Sequence, residues 1–178
     1  MINAKPQKAA SAERIALANR DTEETVYAMF ASVLGAEFKA ENLPVFTAMF
    51  VRMGDTEDAV IDPVKAYFGR IRPFLNNPEI KPLVKPSKSG SYPSGHTSRS
   101  TMMAAVLSSM LPEKRAAIYE RANDYALSRV IGGMHYPNDL DAGRRAGTAM
   151  AATLLASPTF KTDFEAAKAE VRKALGFQ

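Results

Sequence analysis

Helix-length segments of apolar residues at 3.6-residue spacing, divided by proline and glycine, constrain this chain more than any other feature. No stretch alternates apolar and polar residues as a half-buried strand does. Val26, Phe30, Val33 and Leu34 recur on one face, behind an apparent capping box at Asp21 and Glu24, and Gly35 is a natural stop. The pattern predicts a second helix over Pro44 to Met53, ending at Gly54, and a third over Asp55 to Phe68, broken or bent at Pro63. Further helices are expected over Thr97 to Met110, Pro112 to Val130, Asn138 to Ala156 and Lys161 to Leu175. In the last of these Phe164, Ala167, Val171 and Leu175 share a face. The expectation is an all-α, single-domain bundle of about seven or eight helices spanning 1–178.

Residues 72–96 break the rhythm. Five prolines (Pro73, Pro78, Pro82, Pro86, Pro93) stand among Asn76, Asn77, Ser87, Ser89 and Gly90, which reads as a long ordered loop. Bulk properties narrow the function classes around it. There is no cysteine, which excludes disulfides, thiolate metal sites and cysteine nucleophiles. Net charge is +4, but the lysines and arginines are dispersed rather than gathered into a nucleic-acid-binding tail, so no nucleic-acid partner is expected. No apolar run reaches the roughly 18 residues that span a bilayer, and Met1 to Arg20 lacks the apolar centre of a secretory signal.

Three clusters carry chemistry. Lys65 is followed after six residues by Arg72 and Pro73; next comes Pro93-Ser94-Gly95-His96; then Ser128-Arg129, five residues, His135, three residues, Asp139. Lys65, Arg72 and Arg129 bring three cations from separate segments, suited to the three equatorial oxygens of a transferring phosphoryl group. Ser94 and Gly95 stand where a loop enters a helix, and open backbone N–H groups there attract an anion. The chain has two histidines, and each lies in a cluster. Four residues apart, His135 and Asp139 can meet, so that a carboxylate fixes the imidazole tautomer and frees the other nitrogen as a nucleophile. His96 can protonate the leaving alkoxide. Singly, these residues have plainer readings: a lone histidine is usually structural, Ser128 suits a supporting hydrogen bond, Lys85 and Lys88 read as surface charges, and the nine methionines as core filler.

Together the clusters resemble the tripartite signature of the phosphatidic acid phosphatase type 2 superfamily, whose members include class A non-specific acid phosphatases, lipid phosphatases and vanadium haloperoxidases. Gly90 to Thr97 is similar to the class A branch, while His135-Tyr136-Pro137-Asn138-Asp139 looks more like the lipid-phosphatase branch. The match covers 65–139 and eleven residue identities. The resemblance implies a helical bundle and a metal-independent phosphate monoesterase. It gives His135 as the phosphohistidine, Asp139 as its orienting group and His96 as general acid and then base. Lys65, Arg72, Ser94, Gly95 and Arg129 would hold the phosphoryl oxygens. It implies no cofactor, though vanadate can mimic phosphate. It also implies small phosphorylated substrates, activity at mildly acidic pH and, from class A relatives, a periplasmic setting, the cytoplasm being the other compartment compatible with the residues. The rivals are a lipid-phosphate or diphosphate phosphatase on the same site, a vanadate-dependent haloperoxidase, and an anion-binding module without turnover. The residues leave the oligomeric state open, a homo-oligomer included.

Overall fold

The computed structural model describes residues 5–177, and among them there is no strand. The helices are α1 (Lys5–Lys8), α2 (Ala12–Arg20), α3 (Val26–Leu34), α4 (Pro44–Phe68), α5 (Pro73–Asn76), α6 (Gly95–Met110), α7 (Arg115–Ile131), α8 (Pro137–Ala156) and α9 (Pro158–Ala174). Two of these, α1 and α5, are single turns, so seven longer helices form the all-α bundle.

At its centre lies α6, where Met102, Met103, Ala104, Val106, Leu107 and Met110 are all fully buried. An apolar surface on every side suits a helix enclosed by others. Its closest neighbour is α8, and two glycines one turn apart explain why. A Cβ on Gly143 would stand 2.7 Å from the Ser94 carbonyl oxygen, and one on Gly147 would strike the Ser98 carbonyl oxygen. Glycine at both positions brings the start of α8 against the start of α6. Phe30, Phe38, Phe46 and Met49 extend the core beneath α4 and α9.

Two local expectations need correction, and one helix lies beyond them. α4 is one helix of 25 residues that runs through Gly54 and Pro63. Pro63 deprives the Ala59 carbonyl of its helical donor, yet both residues are exposed, so water can satisfy it. The opposite face, with Met49, Met53, Glu57 and Ile61, is buried and holds the helix together. Asp21 does not cap α3 either. It ends α2, is buried, and is held by Arg121 and Ser128. Thr25 caps α3 instead, accepting from the Ala28 N–H at 3.1 Å. Finally, α2 itself is a helix that the apolar pattern does not announce. Ser11 caps it, and its Arg14 donates to Ser128 Oγ and to the Asp124 carbonyl on α7.

Candidate active site

Four elements converge at the open end of α6. α4 delivers Lys65 in its last turn and closes on Gly69, whose left-handed backbone (φ 53°) turns the chain toward Arg70 and Arg72. The proline-rich loop, with Ile80, Val84 and Ser91 buried, brings in Ser91 and Ser94. α7 carries Arg129 near its end. Gly133 (φ 77°) then reverses the chain where a Cβ would lie 2.7 Å from the Lys81 carbonyl oxygen, delivering His135 to the mouth of α8.

His135 is buried, 4% exposed. Its Nδ1 lies 2.8 Å from the Ser91 carbonyl oxygen, an acceptor only, so Nδ1 carries the proton and Nε2 the lone pair. Arg72 Nη1 donates to that lone pair at 3.2 Å. Asp139 Oδ2 stands 3.6 Å from Nδ1, outside hydrogen-bond range, as a charge partner. The Asp139 carboxylate spends its bonds elsewhere. Oδ2 accepts from the Tyr136 N–H at 2.8 Å and Oδ1 from Arg70 at 2.6 Å. Burial pushes the His135 imidazolium down to about 4, with Asp139 opposing and the Arg72 and Arg129 charges adding. This histidine is therefore neutral in mild acid.

The cations are close and deeply held. Arg72 is 4% exposed and is anchored by the Ser89, Gly90 and Met134 carbonyls; burial, with Arg129 nearby, lowers its pKa to about 10, so it stays charged. Arg129 is 5% exposed, and its Nε and Nη1 have no hydrogen-bond partner among the described residues. Buried guanidinium N–H groups without an acceptor are costly, and an anion placed there would satisfy them. Lys65 Nζ would lie 2.9 Å from a Cβ on Gly95, so the missing side chain is what admits the ammonium to the start of α6. There the Gly95 and His96 N–H groups make no hydrogen bond among the described residues, leaving the positive end of the helix open. Ser94 caps α6: its Oγ accepts from the Thr97 N–H and hydroxyl, and its own N–H goes to the Asp139 carbonyl at 3.1 Å.

His96 lies one residue into α6 with its ring turned to the segment between α2 and α3. Nδ1 is 2.9 Å from Glu24 Oε1 and Nε2 is 3.4 Å from the Thr22 carbonyl oxygen. Both neighbours only accept, a setting that matches an imidazolium donating twice. Burial lowers the His96 pKa while the Glu24 carboxylate opposes it. Against burial, which raises it, the His96 hydrogen bond and charge hold the Glu24 carboxyl down at about 2.

All eight residues singled out from the sequence thus lie around one end of α6. Several neighbours were not legible there. Arg70 binds Asp139 and Asn138 and stacks its guanidinium 4.1 Å above the Tyr136 ring; its alternation with Arg72 was the available signal. In the sequence Glu24 reads as a cap, the Ser91 contribution is a backbone carbonyl, and Glu57 sits on a segment that Gly54 and Pro63 set apart from its helix by local propensity alone. No group of three or more His, Asp or Glu among the described residues is arranged to hold a metal ion.

A family model described as PAP2 superfamily matches residues 43–163. The chain is 35% identical over 159 residues to a non-specific acid phosphatase of Salmonella typhi, covering 85% of this chain and 61% of that one. It is 30% identical over 168 residues to an acid phosphatase of Zymomonas mobilis, covering 90% of this chain and 64% of the relative. It therefore spans about three fifths of the length of these relatives. Among solved structures, Aquifex aeolicus LpxE superposes with a TM-score of 0.64 at 20% identity, over 84% of this chain and 90% of that one, a likeness of fold. From the matched region, the curated relatives and the bundle itself, this chain belongs to the PAP2 superfamily.

Proposed function

We propose that the protein is a phosphatase acting on phosphate monoesters through a phosphohistidine at His135, without a metal. The observation that carries this reading is the pairing of a buried, neutral His135, its proton pinned on Nδ1 by Ser91, with the orphaned N–H groups of Arg129. A phosphoryl group placed between them receives the Nε2 lone pair on phosphorus. Its oxygens accept from Arg129, Arg72, Lys65 and the Gly95 and His96 amides. As the N–P bond forms, the ester P–O bond breaks, and the leaving oxygen takes a proton from His96, displacing the weak contact with Thr22. In the second half water attacks phosphorus, His96 takes its proton, the P–N bond breaks, and His135 is restored with release of phosphate. Arg70 holds Asp139 at the mouth of α8, and the Asp139 carboxylate stabilises positive charge on His135. The acid phosphatase names of the relatives support this chemistry, and those relatives suggest a periplasmic-type enzyme.

Turnover of p-nitrophenyl phosphate at mildly acidic pH with chelator present tests the proposal. Hydrolysis is expected from the wild type and not from His135→Ala; equal rates would sink it.

A second reading, an amphiphilic or lipid-phosphate substrate, has one observation in its favour. Tyr67, Phe68, Ile71 and Leu75 are 54–85% exposed, and Ile71 and Leu75 line a cavity of about 640 Å³ that also reaches Arg72. An exposed apolar cluster beside a phosphate site suits an apolar leaving group. On this reading Leu75→Asp raises KM for a long-chain alkyl phosphate and leaves p-nitrophenyl phosphate unchanged. Equal effects on both substrates would exclude it.

A further inference from the structure

The transfer scheme leaves one buried carboxyl beside the site unused. Glu57, on α4, is 2% exposed. Its Oε2 accepts from Arg99 Nε at 3.1 Å, with Arg99 Nη2 3.0 Å away, and the same guanidinium holds Asp58 at 2.7 Å. Its Oε1 is buried and has no hydrogen-bond partner among the described residues. That oxygen lies 3.5 Å from the point a Gly95 Cβ would occupy, and Lys65 Nζ lies 2.9 Å from the same point. The carboxyl and the ammonium thus flank the first residue of α6, without forming an ion pair. The acid nearest to Lys65 is Asp62, at 3.8 Å.

A buried carboxylate with a bare oxygen is unfavourable by itself, and doubly so next to a bound dianion. Carrying a proton, the same group neither repels the anion nor draws on Lys65. We propose that Glu57 is a positioning residue acting through Lys65: charged, it holds the ammonium back from the ligand; protonated, it releases it to the phosphoryl oxygens, so anion binding takes up one proton at this carboxyl. The proposal rests on the reading of this site as a phosphate site. Burial pushes the Glu57 carboxyl up to about 7, with Arg99 pulling it down, Asp58 pushing it up and Lys65 pulling it down. Glu24 reaches it through Arg99. On α9, Asp163 is taken by Arg52 and Glu170 by the first amides of α4, at the far end of that helix. The exchange is reciprocal by linkage: whatever protonates Glu57 tightens the anion, and the anion favours the proton.

Sulfate, a dianion that does not titrate near neutrality, is the probe, with affinities measured for the wild type and Glu57→Gln. At about pH 6 the two proteins should bind alike. At about pH 8 Glu57→Gln should bind about tenfold more tightly than the wild type, because only the wild type then bears the charge. A loss of affinity equal at both pH values is what a merely structural role gives, and it overturns the proposal. An identical pH dependence in the two proteins overturns it too, while leaving the phosphatase reading in place. Absence of sulfate binding by both proteins at either pH sinks both. Should Glu57→Gln fail to fold, infrared difference spectra of the wild type decide the matter. Adding sulfate at about pH 8 must raise a protonated-carboxyl band, and its absence overturns the proposal.

Discussion

At the scale of the residue, the two histidines are separated by what faces their ring nitrogens. His135 offers one proton to Ser91 and a lone pair to the site, while His96 faces two acceptors. On the proposed mechanism the pH profile follows with definite signs. Protonation of His135, pushed down by burial to about 4, removes the nucleophile and sets the acid limb. Loss of the His96 proton sets the other limb, which burial places below the ordinary histidine value of 6.5. kcat/KM for a monoester should therefore peak in mild acid, and a maximum above about pH 8 would contradict these roles. Leaving groups separate the histidines further. His96→Asn should lower kcat/KM, which reports the phosphorylation step, by about 10²–10⁴ for an alkyl phosphate but far less for p-nitrophenyl phosphate, whose leaving group needs little protonation. The sequence singles out eight residues because charge and nucleophile chemistry are properties of side chains, and the fold gathers them around one end of α6. The short bond to His135 was not: the sequence points to Asp139, whereas the Ser91 carbonyl, which any residue could supply, receives it.

Helix packing explains why those residues meet. Gly143 and Gly147 let α8 lie against the backbone of α6, and that approach sets His135 and Asp139 beside Ser94 and His96. Gly147→Ala should therefore destabilise the protein by about 1–3 kcal/mol in urea unfolding, although alanine is the better helix former by about 1 kcal/mol. A stabilised variant would show that the interface yields freely. The helical bundle was readable from periodicity, but α4 was cut in two because Gly54 and Pro63 are ordinary helix breakers. Its buried face overrides them, and local propensity carries no record of that face. α2 went unread for the opposite reason. Ala18 alone is buried in it, and its attachment runs through Arg14 and the cap at Asp21 rather than through an apolar stripe.

The whole molecule carries its site as an electrostatic load on folding. His135 titrates lower in the fold than in the unfolded chain, so it contributes stability that is present above pH 6.5 and lost as the pH falls toward about 4, about 3 kcal/mol in all. Glu57 titrates higher, at about 7 against 4.5, so its contribution is present below 4.5 and lost as the pH rises through 7. The two slopes oppose each other over the same range. Relative to the wild type, Glu57→Gln should lose stability on acidification from about pH 7 to 4.5, and His135→Asn should lose it as the pH rises from about 4 to 6.5, both read by urea unfolding. Parallel profiles in all three proteins would show that neither group is linked to folding. The central claim is tested most directly by trapping the intermediate. Wild type mixed with phosphoryl-labelled substrate and quenched in alkali should retain acid-labile label on His135 within one turnover, and His135→Ala should retain none. Label on another residue, or wild-type turnover that never labels the protein, would contradict the account.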